Sequence, residues 1–489
     1  MRRGCYDCLI EAREGYRRLA SGGGHAEAAA RVFEVDVLIA LREKELGLSP
    51  SDALAEARRI ASELPGNLEA SRYLKLVDAI PGQELGASPR EIRAFQATHA
   101  PGLAELDASR RWLSRGRKPV RDYLKIALAC AYPTGDERSR GSAASDGHAS
   151  TTTATAPEPT LLLRYRAAIC GGDATSELTA VRAGEPRFVE TSLFIARAEI
   201  ARLLLDGPGR AKVHLDEVLG RFPASPAATY LAGSYHQLIG DNDEALRFYD
   251  RTLELRPSHD PALLGRVISL SGLERAQAAI DAATLLAARG GEYLADAYYW
   301  RARNEYALDQ LAYARRDVSA AKELGGNEDL LLLAGMVEYA QGDLDVAEGD
   351  LAIVISANGR RCEAHWYLGM VNRQRKHWSG ARMALEAAMT CYLERARTAG
   401  DQLRSLEARS AVDAAYRARA AARFKAAVTA DTRQQHLAAF AAADSAAAGD
   451  DFVAARRLVD LAAEDPGLAD RVAKLRSWID RPHRTEHGR

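Results

Sequence analysis

The chain has 489 residues, 47% apolar and 7% aromatic, with 66 basic against 67 acidic side chains and a formal net charge of -1. That is enough apolar matter for two or three domains or one long array, and the charge balance excludes a global field that would draw the chain to nucleic acid or an anionic membrane. No run of about 18 uncharged apolar residues occurs, and Met1-Arg2-Arg3 leads into a polar helix without a hydrophobic export segment, so a soluble chain with no transmembrane segment is expected.

Ala, Leu, Arg and Glu dominate long stretches while runs of Val, Ile and Thr are scarce, which predicts an all-helical protein. The N-terminal 130 residues begin with Cys5-Tyr6-Asp7-Cys8 on a first helix, followed by the loop Gly22-Gly23-Gly24 and a long helix from about His25 to Leu46. Ala53, Ala57, Ile60 and Pro65 then read as the second helix of a hairpin, whereas the helices from 67 to 131 follow no shared spacing. From Thr134 to Pro159 the chain collects Gly, Ser, Thr, Asp and Pro with hardly any large apolar residue, so it is expected to be a disordered linker or loop.

Between 192 and 395 the sequence becomes self-similar. Ala211, Ala245, Ala347 and Ala381 fall on a grid of 34 residues; Gly233, Gly335 and Gly369 precede three of them, and Leu215, Tyr249, Leu351 and Leu385 follow all four at a fixed offset. Pro223 and Pro257 close two of the units. Physically, such a unit is two amphipathic helices joined by a tight turn, a small residue on each where they cross and bulky residues around the crossing. It cannot bury its apolar face alone and must stack on neighbours. The unit 260 to 293 is degenerate, with its first helix expected to be shortened near Ser271-Gly272. A boundary is expected at Ala399-Gly400-Asp401, followed by one long Ala/Arg-rich helix to about Thr429. Gly449, Ala454, Leu458 and Pro466 repeat the hairpin signature, and Leu468 to Ile479 reads as a capping helix.

These residues resemble the tetratricopeptide repeat family. Trp366, Leu368-Gly369, Trp378, Ala381, Leu385 and Ala388 in the unit 362 to 395 fit its pattern best, and the units 192 to 225, 226 to 259, 295 to 327 and 328 to 361 match with fewer residues. The resemblance implies an α-solenoid of stacked antiparallel helix pairs wound as a right-handed superhelix, with the first helix of each unit lining a concave groove. Family positions carried across give Tyr230 and Gln237; Tyr299, Arg303 and Tyr306; Met336 and Tyr339; and Trp366, Met370 and Arg373 as candidate groove residues. Aromatic, Met and Arg side chains of this kind are enriched at binding hot spots. The alternative for each position is ordinary packing between adjacent repeats.

Catalytic signatures are missing. Gly22-Gly23-Gly24 has no preceding strand and no following Gly-Lys-Ser/Thr, so it fails the context of a phosphate loop. The eleven His residues form no His-Glu-x-x-His, and no Gly-x-Ser-x-Gly occurs, so no catalytic residue, metal or cofactor is expected. The cysteines are more informative. Cys362 opens the first helix of its hairpin and Cys391 closes the second, where antiparallel packing brings the ends together; Cys130 and Cys170 flank the linker. Two readings stand: bridges at Cys362–Cys391 and Cys130–Cys170, implying an oxidising compartment, or six ordinary buried thiols in a cytoplasmic protein. Cys5-Tyr6-Asp7-Cys8 lacks the strand, turn and helix context of a catalytic dithiol.

The expected organisation is therefore an N-terminal helical domain over 1–132, a linker over 133–158, a tetratricopeptide array over 159–399, and a long helix with a C-terminal repeat and cap over 400–489. The expected function is a non-catalytic scaffold or adaptor holding a peptide or protein in its groove, with a lean toward a bacterial envelope assembly from the paired cysteines and the cytoplasm as the alternative. The alternative function is an enzyme or small-ligand receptor built on the helices 67 to 131.

Overall fold

Strong helix formers with sparse β-branched residues yield helices and no strand among the described residues. The computed structural model describes residues 4–21, 26–48, 52–63, 68–81, 95–115, 118–132, 160–170, 175–206, 211–408 and 414–480. The glycine loop at 22–24, Pro65 and the polar stretch from Thr134 to Pro159 lie outside these residues. No described helix is long and apolar enough to cross a membrane.

The chain divides into two compact units, Met1–Leu238 with Asn242–Arg266, and Ile239–Asp241 with Val267–Arg489. The first contains α1 (Tyr6–Ser21), α2 (Ala26–Glu45), α3 (Asp52–Glu63), α4 (Leu68–Ala79), α5 (Leu103–Leu113), α6 (Pro119–Ala131), α7 (Leu161–Cys170), α8 (Thr175–Gly184), α9 (Glu190–Asp206), α10 (Ala211–Arg221), α11 (Pro226–Leu238) and α12 (Asn242–Leu255). Helix α2 is nearly enclosed, contacting α1, α3, α4 and α6, and Val35, Val37, Leu38 and Ile39 lose all contact with solvent. Residues on either side of 133–159 share this unit, because α6 packs on α7 and Ser225 Oγ donates to the Leu46 carbonyl at 2.6 Å.

A buried polar cluster ties the same helices. Arg42 reaches Glu45 at 3.0 Å and Glu190 at 2.6 Å, Arg166 reaches Glu45 at 2.9 Å, and the hydroxyls of Tyr123 and Tyr165 both donate to Glu45. The Arg42 guanidinium lies 3.8 Å from the Tyr165 ring centroid. Opposite charges and a stacking ring compensate the loss of water for each ion.

Helix α13 (Asp260–Gly272) spans the division. At thirteen residues it matches α11, so the expected shortening at Ser271-Gly272 does not occur. The reason is local: the Leu270 carbonyl receives the Arg275 N–H at 2.9 Å, closing an ordinary helix end.

The second unit continues through α14 (Ala276–Arg289), α15 (Leu294–Ala307), α16 (Leu311–Glu323), α17 (Glu328–Gln341), α18 (Leu344–Ala357), α19 (Cys362–Gln374), α20 (Trp378–Ala408), α21 (Ala414–Ala448), α22 (Phe452–Ala462), a 3-10 turn at Pro466–Leu468 and α23 (Ala469–Ile479). Each helix packs on the next, and α15 with α17 and α17 with α19 also touch, which gives a stack of antiparallel hairpins. The grid alanines Ala347 and Ala381 are fully buried, as are Ala279 and Ala314 between them and Ala245. A Cβ on Gly335 would stand 2.7 Å from Leu351 Cγ, and one on Gly369 would stand 2.5 Å from Leu385 Cγ, so the small-to-large crossing read from the sequence is a steric requirement. In the first unit Gly233 meets Tyr249 at 2.7 Å in the same manner.

Five of the hairpin turns share one backbone solution. The N–H groups of Arg275, Gln310, Asp343, His377 and Asp451 each donate to the carbonyl five residues earlier at 2.8 or 2.9 Å. The residue before each donor is left-handed: Glu274, Asp309, Gly342, Lys376 and Asp450, with φ between 57° and 86°. This is the Schellman arrangement, which satisfies carbonyls that a helix end leaves open. Gly342 takes the conformation freely, whereas Glu, Asp and Lys at the same place bear a cost on the order of 1 kcal/mol each.

Three expectations at the C-terminal end are corrected. Helix α20 runs unbroken through Ala399-Gly400-Asp401, because Tyr392, Ala396, Ala399 and Leu406 form a buried seam against α21, and Gly400 lets Val428 approach to 4.0 Å of its Cβ position. The long helix then continues past Thr429 to Ala448. In the following hairpin the buried small residue is Ala455 and not Ala454, since Asp451 caps the helix by accepting the Ala454 N–H at 3.1 Å.

Candidate binding face

Side chains one and two turns apart along a first helix share its face, and neighbouring hairpins place those faces side by side. On α15, α17 and α19 this assembles a row of half-buried aromatic rings, which also pack on the cores of their hairpins. The hydroxyls of Tyr306 and Tyr367 are 3.3 Å apart, and the Tyr339 and Tyr367 rings meet edge to face at 5.7 Å between centroids. Tyr299 meets Trp300 edge to face at 5.3 Å, and the exposed Arg303 guanidinium lies 4.9 Å from the Trp300 ring centroid. Burial raises the hydroxyl pKa of Tyr299, Tyr339 and Tyr367 above the ordinary value, so all three are neutral donors at physiological pH.

The remaining candidates are placed as follows. Met336 and Met370 are half-buried in the same series, and Arg373 Nη1 lies 4.0 Å from Met370 Sδ while its other amino group pairs with Asp444 of α21. Trp366 packs against Ala388, Tyr392 and Ala438, and against the Ala-rich core of α21, so it is held between adjacent hairpins. In the first unit Tyr230 stacks near His259 at 4.8 Å and Gln237 accepts the Tyr249 hydroxyl at 2.6 Å, and both are engaged in packing. Tyr367 is the residue that sequence reasoning missed. It occupies the column of Trp300 and Leu333, adjacent to the one carried across from the family, and nothing in those three identities marks the column as a surface.

Two carboxylates adjoin these tyrosines in sequence. Glu305 and Glu338 precede Tyr306 and Tyr339, and each is almost wholly buried with one oxygen lacking a hydrogen-bond partner. Burial, with Asp317 near Glu305 and Asp350 near Glu338, raises both to about 7, while Arg301 and Lys322 pull the other way. Because the folded pKa exceeds the unfolded one, the proton is held more tightly in the fold, and stability falls as pH rises from about 4.5 through about 7. The double variant Glu305→Gln/Glu338→Gln is expected to abolish several kcal/mol of that decline, at about 1.4 kcal/mol for each pH unit by which the fold raises a pKa, read by urea unfolding at pH 5 and pH 8. An identical pH slope in the variant would contradict this assignment.

All six cysteines are paired: Cys5 with Cys8, Cys130 with Cys170, and Cys362 with Cys391, at Cα separations of 4.9, 5.8 and 5.3 Å. The atypical helices between 67 and 131 border a cleft of about 670 Å³ lined by Arg72, Lys75, His99, Glu105 and Trp112 among others. Among the described residues, no group of three or more His, Cys, Asp or Glu side chains is disposed to hold a metal ion.

Stacked antiparallel hairpins with a glycine on one helix pressed against a large residue of the next define an all-α array of helix hairpins. The chain is similar to the solved TPR protein YrrB, described as having an unusual peptide-binding site, at 21% identity and TM-score 0.31 over 36% of this chain and 91% of that one. It is also similar to the Cut9-Hcn1 hetero-tetramer of the APC/C (14% identity, TM-score 0.43, 97% of this chain and 93% of that one) and to yeast Tom70 (11% identity, TM-score 0.31, 88% and 89%). No protein-family model and no curated protein matches the sequence.

Proposed function

We propose that the chain is a non-catalytic scaffold that captures a protein or peptide on the face formed by α15, α17 and α19. The observation that carries this reading is the cluster of Tyr306, Tyr339 and Tyr367 on three successive hairpins, flanked by Arg303. Tyrosines offer a wide contact area with two rotatable bonds and a polar tip, and Arg offers planar donors, the composition of an interface centre. An extended segment laid across the hairpins would meet one such side chain per unit. Three disulfides favour work in an oxidising compartment, consistent with an envelope assembly.

The test is selection from a random peptide library on the intact chain, followed by affinity measurement on Arg303→Glu/Tyr339→Ala. Selected peptides are expected to lose at least about tenfold in affinity, which is about 1.4 kcal/mol, with the helical signal and unfolding midpoint retained. Peptides that bind the variant equally well would refute this face as the capture site.

A further inference from the structure

Cys5 and Cys8 differ from the other two bridges in three respects. They are three residues apart, against forty and twenty-nine, so their bond closes the smallest loop and constrains the unfolded chain least. They flank the first turn of α1, where the Cys8 N–H points at Cys5 Sγ over 3.1 Å and helix N–H groups are directed outward. Arg187 brings a guanidinium to 3.5 Å from Cys8 Sγ. By contrast, the sulfur of Cys391 lies 3.3 Å from the Arg360 carbonyl oxygen, a partner that disfavours negative charge.

A helix N-terminus and an adjacent cation both stabilise a thiolate, which makes a cysteine pair easier to reduce and each sulfur a better leaving group. The other charges around the pair are Glu11 and Glu185 on Arg187, Glu190 on the Tyr6 N–H at 2.6 Å, and Asp7 paired with Arg221. Glu190 and Asp7 are engaged with other groups, while Glu11 and Glu185 orient Arg187 and share its charge, with the guanidinium in contact with the Cys8 sulfur at 3.5 Å. Cys5 is enclosed, while Cys8 is 7% exposed beside the solvated Arg187 and Glu11, so attack comes at Cys8.

We propose that Cys5–Cys8 is a thiol–disulfide exchange site that oxidises a dithiol segment of a partner polypeptide. A partner thiolate attacks Cys8 Sγ, the Cys5–Cys8 bond breaks, and Cys5 leaves as a thiolate that takes a proton from water. The partner's second thiolate then attacks the partner sulfur of the mixed disulfide, and Cys8 leaves. The partner gains a disulfide and loses two electrons; Cys5 and Cys8 gain them. This exchange does not depend on what binds the tyrosine face.

The experiment equilibrates the full chain with glutathione buffers, quenches with acid, alkylates and maps each cysteine by mass. Cys5–Cys8 is expected to reduce with an equilibrium constant at least 100-fold above either other pair, which is about 60 mV. The reduced Cys8 is expected to alkylate with an apparent pKa well below the ordinary value of about 8.5, shifted upward in Arg187→Ala and restored in Arg187→Lys. A reduced two-cysteine peptide should be oxidised by one equivalent per chain, and its mixed disulfide at Cys8 should accumulate when a single-cysteine peptide is supplied. Reduction of Cys5–Cys8 together with or after the other pairs, an ordinary Cys8 pKa, or no oxidation of the peptide would each overturn the proposal.

Discussion

Replacing Arg42 by Ala is expected to destabilise the first unit by about 3–5 kcal/mol, the largest single effect predicted for this chain. Arg42 has no solvent contact, and its two amino groups are committed to Glu45 and Glu190. Glu45 retains Arg166 and two tyrosine hydroxyls after the change, whereas Glu190 keeps the Tyr6 N–H at 2.6 Å and the more distant charges of Arg182 and Arg221. An uncompensated buried carboxylate must then be protonated or hydrated, and either costs several kcal/mol. Arg42→Met/Glu190→Gln removes both charges and is expected to recover at least half of the loss. Urea unfolding of the unsubstituted chain, Arg42→Ala, Arg42→Met and the double variant measures it. If the double variant were as unstable as Arg42→Ala, shape and not charge would be the quantity that Arg42 supplies.

Gly369→Ala is expected to cost about 2 kcal/mol, although Ala exceeds Gly in helix propensity by roughly 0.5–1 kcal/mol. The added methyl would lie 2.5 Å from Leu385 Cγ and 3.3 Å from its backbone nitrogen, and Leu385 is fully buried, so neither neighbour can retreat. Gly349 supplies the control within the same unit. It lies inside α18 with nothing within 4 Å of its Cβ position, so Gly349→Ala should gain the propensity difference. Opposite signs for the two substitutions identify crowding as the cause. A gain at both positions would show that the crossing of α19 and α20 relaxes at little cost.

How much of this was legible depends on the range of the interaction. The alanine grid and the glycines opposite Tyr249, Leu351 and Leu385 repeat within 40 residues, so periodicity reveals them, and the structure places them at the predicted crossings. Glu305 and Glu338 also stand 33 apart, and that spacing was an unused signal for a buried polar column. The Arg42 cluster joins residues as far as 148 apart and leaves no periodic trace. Family register points to first-helix positions on α15, α17 and α19 but does not distinguish a lining position from a packing one, and Trp366, Tyr230 and Gln237 come out engaged with neighbours. The continuity of α20 was hidden because Gly400 reads as a break, while its value lies in how closely α21 can approach.

The recurring left-handed turn has a consequence for descent. Its bond joins two backbone groups, so any residue that tolerates the conformation can stand there, and this chain uses Glu, Asp, Gly and Lys in turn. A hairpin specified by main-chain geometry places few demands on letters, and copies of it drift apart in composition while their shapes stay superimposable. Such a lineage becomes hard to trace by consensus, while five of this chain's hairpins close with one and the same bond.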